Sequence, residues 1–107
     1  MYFYKPAERD AINIAHGVNG RSFWGDRLML VVVDLEPDST IPTHNHPHEQ
    51  AGLVLNGEIN LTIAGESKLL KEGDIYLIPE GVEHSAITGS NPTQVLDIFT
   101  PIRDDLK

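Results

Sequence analysis

The feature that most constrains this chain is a series of short segments in which hydrophobic and polar residues alternate. Residues 59–63 read Ile-Asn-Leu-Thr-Ile, and residues 12–14 read Ile-Asn-Ile. A period of two is typical of a strand with one buried face. Turn-forming residues separate such segments, at Asn56-Gly57, Ala64-Gly65-Glu66, Glu72-Gly73-Asp74, Pro79-Glu80-Gly81 and Gly89-Ser90-Asn91-Pro92. Short strands at this spacing predict an all-β, antiparallel sandwich or barrel.

The length of the chain and its apolar content indicate one folding unit. The chain has 107 residues, of which 40% are hydrophobic, and this is enough for a single buried core. We therefore expect one domain over residues 1–107. No apolar run approaches the roughly 20 residues that span a bilayer, and the first six residues lack the long apolar core of a secretion signal. The sequence predicts a cytoplasmic protein that does not bind membranes.

The charged residues and the absence of cysteine exclude several functions. Sixteen acidic and eight basic residues give a net charge of -8, and Lys and Arg do not cluster, which opposes binding to nucleic acid. A small anionic substrate would need a local cation, such as a metal ion or a single Arg. The chain has no Cys, so a bound metal ion must be held by nitrogen and oxygen ligands.

The run from Leu28 to Val33 is the longest apolar segment, and it does not alternate. A strand of this composition is expected to be covered on both faces. The core would cover one face, and a partner subunit or the N-terminal segment would cover the other. The run thus predicts a homodimer contact, and the alternative is a central strand buried within one subunit.

Histidines supply the only cluster of residues that points to chemistry. Residues 44–50 read His-Asn-His-Pro-His-Glu-Gln, and His84 follows the Pro79-Glu80-Gly81 turn. Residues two apart on a strand project to the same side, and Pro47 would end regular pairing and let Gln50 return to the same centre. Imidazole is a common ligand of transition metals. The pattern predicts a metal site, and the alternative is a polar, His-rich surface loop.

Two motifs over residues 38–88 resemble those of the cupin family. The first motif has the pattern Gly-x5-His-x-His-x3–4-Glu-x6-Gly, where x is any residue and the number gives the spacing. Its named positions fall on Asp38, His44, His46, Gln50 and Gly57. The second motif has the pattern Gly-x5-Pro-x-Gly-x2-His-x3-Asn. Its named positions fall on Gly73, Pro79, Gly81, His84 and Thr88. The resemblance implies a jelly-roll β-barrel with one divalent metal ion, and these ligand types accept Ni, Zn, Fe, Mn or Cu. The ligands it implies are His44, His46, Gln50 and His84.

Three positions depart from the cupin pattern. Asp38 replaces a turn glycine, and Asp tolerates the left-handed backbone conformation better than most residues. Thr88 replaces an Asn outside the metal ligands. Gln50 replaces a Glu, and a neutral amide leaves more of the charge of a divalent ion uncompensated. We therefore expect weaker binding of the ion but a stronger Lewis acid.

A closer similarity, to the KdgF-type cupins of pectin and alginate breakdown, extends over His-x-His-Pro-His-Glu-Gln and residues 96–105. Those proteins convert 4,5-unsaturated monouronates to linear keto acids. Their functional residues correspond to Asp97, Phe99 and Arg103. In the sequence itself, Asp97 interrupts an apolar run, so its carboxylate is expected to face the barrel and to need a partner. The candidate partners are the metal ion and Arg103. The alternative places Asp97 on an exposed strand face and Arg103 in a solvated tail.

The similarity implies a metal-dependent isomerase that acts on a small sugar acid. In this hypothesis Asp97 moves a proton, Arg103 binds the substrate carboxylate, and Phe99 contacts the substrate. Tyr76, Trp24 and Phe99 would form apolar pocket walls. Two alternatives are a metal-dependent cupin dioxygenase and a non-enzymatic small-molecule or sugar-binding cupin.

Overall fold

The computed structural model describes residues 2–107, and nearly all of its regular structure is β-strand. The ten strands are β1 (Ile12–Ala15), β2 (Val18–Trp24), β3 (Met29–Leu35), β4 (Thr40–His44), β5 (Glu49–Asn56), β6 (Glu58–Ile63), β7 (Glu66–Lys71), β8 (Ile75–Ile78), β9 (His84–Thr88) and β10 (Thr93–Thr100). Short 3₁₀ turns lie at Pro6–Glu8 and Asp104–Leu106. The predicted all-β class is confirmed.

The strands form two antiparallel sheets that face each other. The larger sheet has the order β1-β2-β3-β10-β5-β8, and the smaller has the order β4-β9-β6-β7. Neighbours in each sheet are mostly distant in sequence, as expected for a jelly roll in which the chain crosses repeatedly between sheets. This topology brings the ends of β4, β5, β9 and β10 to one end of the barrel.

The core fills the space between the sheets, and the period-two alternation explains its composition. In β3, for example, Met29, Val31, Val33 and Leu35 are buried. Their partners come from both sheets and include Val54 and Ile59. Burial of these aliphatic side chains supplies most of the stabilisation, at about 25 cal/mol per Å² of apolar surface. The end of the barrel that carries the histidine motifs therefore adjoins a packed apolar core.

Two departures from the cupin pattern lie next to each other in space. Asp38 has φ 56°, the left-handed conformation expected from the Gly that it replaces. The Thr88 hydroxyl donates to the Glu36 carbonyl at 2.8 Å and accepts from the Ser39 amide at 2.8 Å. Thr88 thus fastens the turn before β4 to the end of β9, and it has a structural role.

Strand β3 is central in its sheet, between β2 and β10, but its outer face is only partly covered. Leu28 and Leu30 are exposed. The N-terminal segment covers Phe23 of β2, where the Tyr4 ring packs at 5.2 Å between centroids, but Leu28 and Leu30 remain exposed. Complete burial of this apolar run within one subunit is not observed.

Residues 2–107 contain no helix with the length and apolar character needed to cross a bilayer. The two 3₁₀ turns span three residues each.

Candidate metal centre

Three histidines converge at one end of the barrel. His44, His46 and His84 can each offer one ring nitrogen so that all three atoms lie within 4.8 Å of one another. His44 and His84 face each other as a register pair of β4 and β9, with ring centroids 4.2 Å apart. The prediction that these residues come together is correct.

The backbone reason for the convergence differs from the predicted one. Strand β4 ends at His44, so His46 lies in the connection to β5 rather than on the same strand face. The Gly81 amide donates to the His46 carbonyl at 2.8 Å, and Gly81 has φ 75° in the turn before β9. The second motif therefore positions His46 of the first through a main-chain hydrogen bond.

Backbone carbonyls orient two of the imidazoles. His44 Nδ1 lies 2.8 Å from the Pro42 carbonyl, and His84 Nδ1 lies 2.9 Å from the Val82 carbonyl. Because a carbonyl can only accept, each Nδ1 carries the proton and each Nε2 presents a lone pair. Such an outer hydrogen bond is typical of metal-binding histidines.

Gln50 lies beside the histidine cluster and is buried. Its Oε1 is 3.1 Å from His46 Nε2, which leaves His46 Nδ1 buried without a hydrogen-bond partner. Burial, together with the charge of Arg103 and the neighbouring His84, lowers the pKa of His46 to about 4. Burial also lowers the pKa of His84. Both rings are therefore neutral at pH 7, the form that binds metal ions.

Asp97 faces the barrel interior, as predicted, and its partner is one that the sequence did not reveal. The Tyr76 hydroxyl donates to Asp97 Oδ1 at 2.5 Å. Burial raises the pKa of Asp97 to about 6, and hydrogen bonds from Tyr76 and Gln50 and the charge of Arg103 limit the rise. Burial and the adjacent Asp97 raise the pKa of Tyr76, so this hydroxyl keeps its proton and remains a donor.

Gly52 makes the contact between Tyr76 and Asp97 sterically feasible. It pairs with Asp97 on one side and with Tyr76 on the other, so that the three residues form a row across β10, β5 and β8. A Cβ on residue 52 would lie 2.0 Å from Tyr76 Cζ. The signal in the sequence was a glycine inside a strand, which often marks the close approach of another group.

Arg103 lies at the mouth of the barrel. It lines both the interior cavity and an adjoining surface groove beside His44. Its guanidinium donates to Asp105 at 2.8 and 3.3 Å and lies 5.0 Å from the centre of the Phe99 ring. The Phe99 ring in turn meets His46 edge to face at 5.7 Å. Arg103 and Phe99 therefore connect the pocket mouth to the histidines.

A cavity of about 80 Å³ extends from this mouth into the barrel, where His44, His84, Asp97, Tyr76 and Phe99 are among its lining residues. The prediction for Trp24 was wrong. Trp24 lies at the end of β2, where its indole packs near Arg9 and Lys107 outside the cavity. Trp24 is the last residue of β2 and lies at an exposed end of that strand. Residues near the two ends of the chain contact its indole, and the core does not.

The donor set fits a first-row divalent ion. It combines three neutral imidazoles with an adjacent amide oxygen, and it contains no thiolate. Nitrogen and oxygen donors suit several metals of this row. The buried Nδ1 of His46 without a partner is a further sign that this cluster is incomplete as a purely structural network.

Comparison with known sequences agrees with this geometry. The family model of the cupin domain matches residues 31–99. The pectin degradation protein KdgF of Dickeya dadantii is 31% identical over 83 residues, which are 77% of this chain and 76% of that protein. Quercetin 2,3-dioxygenase of Bacillus subtilis is 38% identical over 79 residues, but the match spans only 23% of that longer protein.

Solved structures give the same result for the fold. KdgF from Halomonas sp. matches with a TM-score of 0.92 and 28% identity, over 100% of this chain and 99% of that one. An RmlC-like cupin from Shewanella frigidimarina matches with a TM-score of 0.93 and 25% identity, over 100% and 96% of the two chains. Since the family match covers the strands that carry both histidine motifs, this chain belongs to the cupin family.

Proposed function

We propose that this cupin is a metal-dependent isomerase that converts a small 4,5-unsaturated monouronate to its linear keto acid. The observation that carries the proposal is the row in which Tyr76 holds Asp97 inside the barrel, close to the histidine cluster and to Arg103. It combines a proton carrier, a cation for a carboxylate and candidate metal ligands in one pocket. The similarity to the KdgF proteins supports the substrate class.

The ligands we assign are His44, His46, His84 and Gln50. A divalent ion bound there would act as a Lewis acid that polarises substrate oxygens. The three imidazoles would contribute no charge, and neither would the Gln50 amide. The carboxylate inside the pocket would then be that of Asp97, while the carboxylate of Asp105 lies at the mouth and is paired with Arg103.

Asp97 is placed to move the proton in this isomerisation. Removal of the proton from the anomeric hydroxyl allows the C1–O5 bond to break, so that C1 becomes a carbonyl and O5 an enolate. Delivery of a proton to C4 then completes the keto acid, with no net change in atoms or electrons. A carboxyl whose pKa is about 6 is mostly ionised at pH 7 yet basic enough to accept and return a proton.

Arg103 is suited to bind the substrate carboxylate. Its guanidinium is held over Phe99 at the pocket mouth, and a guanidinium pairs with carboxylates through two parallel hydrogen bonds. Asp105 already accepts hydrogen bonds from this guanidinium. The substrate carboxylate would therefore replace Asp105 or bind beside it. Phe99 supplies the apolar wall on which the sugar ring would rest.

The test is loss of the enoate absorbance when metal-loaded protein is mixed with unsaturated galacturonate. We expect turnover by the wild type, and Asp97→Asn should lower kcat by at least 100-fold. Asp26→Asn, which changes an exposed loop carboxylate, is the matched control and should retain full activity. Normal turnover by Asp97→Asn would refute the proposed proton carrier, and inactivity of the wild type would refute the substrate class.

A dioxygenase is the second candidate, because quercetin 2,3-dioxygenase is 38% identical over 73% of this chain. Oxygen uptake with flavonols and small enols, measured with each of several metals, would distinguish it from an isomerase. Binding of uronates without turnover or oxygen uptake would instead favour a non-enzymatic sugar-binding protein.

A further inference from the structure

The C-terminal segment brings a carboxylate as well as a cation to the mouth of the pocket. Asp105 and Arg103 both line the surface groove beside His44. The Arg103 Nε donates to Asp105 Oδ1 at 3.3 Å, and its Nη2 donates to Asp105 Oδ2 at 2.8 Å. A guanidinium binds carboxylates in general through two such parallel hydrogen bonds. Asp105 therefore occupies an edge of Arg103 that is suited to the carboxylate of a ligand.

The two partners of this ion pair are held with different firmness. The Arg103 side chain is 18% exposed, and its guanidinium also lies 5.0 Å from the centre of the Phe99 ring. The Asp105 side chain is 62% exposed. Within residues 2–107 its carboxylate makes no hydrogen bond to a side chain other than Arg103. The carboxylate can therefore leave while the guanidinium stays in place.

Departure of the Asp105 carboxylate does not require the segment to detach from the barrel. Leu106 is buried in the core, and Ile102 packs against the core. Hydrophobic contacts thus hold the backbone on both sides of Asp105. Exposed side chains change rotamer within picoseconds to nanoseconds, so exchange of the Asp105 carboxylate needs only a rotation of one side chain.

Asp105 is charged and always close to Arg103. Burial raises the pKa of its carboxyl, but the hydrogen bonds and the charge of Arg103 outweigh this effect, so the pKa is lowered. The carboxylate is therefore ionised at pH 7. Because Asp105 follows Arg103 by two residues, its effective concentration at the guanidinium is on the order of millimolar or higher. A carboxylate that arrives from solution must compete with it.

We propose that Asp105 is an intramolecular competitor of the substrate carboxylate, which must displace it from Arg103 in order to bind. The inference rests on the proposed role of Arg103 in binding a uronate. Asp105 weakens the binding of every carboxylate, so that occupancy requires a ligand with further contacts, such as a sugar ring against Phe99. Exposed ion pairs are weak, and this limits the competition to about three- to fivefold in affinity.

Calorimetric titration of metal-loaded protein with galacturonate measures the competition. This sugar acid lacks the 4,5 double bond, so the proposed reaction does not consume it. Asp105→Asn should bind galacturonate about three- to fivefold more tightly than the wild type. Asp104→Asn is the matched control, because it changes the net charge equally but removes a partner of Lys107, and it should bind as the wild type does. Equal or weaker binding by Asp105→Asn would overturn the proposal, since Asp105 would then only hold Arg103 in position.

The reactivity of Arg103 tests the same competition without a sugar acid or a metal ion. Phenylglyoxal modifies accessible guanidinium groups, and mass spectrometry of peptides identifies the modified residue. Arg103 should react at least threefold faster in Asp105→Asn than in the wild type or in Asp104→Asn, with the exposed Arg27 between β2 and β3 as internal reference.

The two measurements separate this inference from the proposed function. An unchanged Arg103 rate in Asp105→Asn would overturn the competition. A faster rate, combined with no binding of galacturonate by any of the three proteins, would support the competition and would refute the uronate site of the proposed function.

Discussion

The side chain of Gln50 lies between the histidine cluster and Asp97, and its two ends have different chemistry. Its Oε1 is 3.1 Å from His46 Nε2, and its side chain also acts as a hydrogen-bond donor that lowers the pKa of Asp97. Only the amide NH₂ can donate. A Glu at this position would offer oxygen on both sides and would place a second carboxylate against Asp97. The amide therefore suits a pocket in which Asp97 must remain ionised.

Gln50→Glu should separate metal affinity from activity. We expect a divalent ion such as Ni²⁺ to bind at least tenfold more tightly, since a carboxylate offsets part of its charge. Turnover should fall at least tenfold, because the lost donor and added charge both favour protonated Asp97. Calorimetric titration measures the first effect and the enoate assay the second. Weaker metal binding by this variant would contradict the role assigned to Gln50.

Asp97 and His46 should have opposite effects on the pH dependence of stability in metal-free protein. The pKa of Asp97 rises from 3.8 to about 6 on folding, so its stabilising contribution is present at low pH and is lost as the pH rises through this window. The pKa of His46 falls from 6.5 to about 4, so its contribution is present above pH 6.5 and is lost as the pH falls towards 4. Each effect is about 3 kcal/mol in size, and the two largely cancel.

Asp97→Asn removes one of these opposing effects. The variant should become more stable as the pH rises from 4 to 6.5, and at neutral pH it should exceed the wild type by about 1–3 kcal/mol. Urea unfolding in the presence of a chelator measures this difference, with Asp26→Asn as the control. If the variant were less stable than the wild type at pH 7, the interactions of Asp97 in the folded protein would fully offset the free-energy cost of burying its charge.

At the scale of strands, the register of β10, β5 and β8 brings Tyr76 and Asp97 together. Asp97, Gly52 and Tyr76 occupy the same row, and the glycine leaves space for the Tyr76 ring to cross β5. If any of these strands shifted by one residue, its residue in this row would turn to the outer face of the sheet. The contact between Tyr76 and Asp97 therefore depends on the alignment of all three strands.

Gly52→Ala should disrupt this row without removing a functional group. The new Cβ would meet the Tyr76 ring at 2.0 to 2.4 Å, so the ring must move and the bond to Asp97 must break. We expect a loss of about 1–3 kcal/mol in the free energy of unfolding and a decrease in kcat similar to that of Tyr76→Phe. Gly89→Ala is the control, because nothing lies within 4 Å of its added Cβ. Full activity of Gly52→Ala would show that Tyr76 does not orient Asp97.

At the scale of the whole molecule, the candidate ligands come from both sheets. His44 and His84 belong to the smaller sheet, and Gln50 belongs to the larger one. His46 lies in the connection between β4 and β5. A bound ion would thus link the two sheets at one end of the barrel, where the apolar core does not extend.

Metal binding should therefore raise the thermal stability of the protein. At a free metal concentration one hundred times Kd, the folded state gains about 2.7 kcal/mol, which corresponds to an increase in Tm of about 10 °C for a chain of this size. His84→Ala should abolish the increase, whereas His16→Ala, an exposed histidine in the β1–β2 turn, should preserve it. Scanning calorimetry with and without metal measures both. An unchanged increase in His84→Ala would place the metal elsewhere.

Local pattern was sufficient to predict the fold class and the main turns, whereas the convergence of His84 with His44 and His46 was implied by the resemblance to the cupin motifs. Period-two segments and Gly-rich or Pro-rich turns depend on backbone preferences that act over a few residues. The sequence also predicted that Asp97 faces inward, because it interrupts an apolar run. The unalternating run from Leu28 to Val33 predicted a strand covered on both faces, but Leu28 and Leu30 are exposed in the isolated chain, and the dimer contact stays a prediction.

Other features depend on which strands become neighbours. The bond from Tyr76 to Asp97, the space above Gly52 and the second contact of Gln50 all join strands distant in sequence. Trp24 was wrongly predicted to line the pocket for the same reason, since an aromatic residue near the core looks the same in the sequence as one at a strand end. The sequence alone determined the alternation and the types of ligand. Only the tertiary structure decided the register, and register determines which side chains share a pocket or form a continuous apolar face.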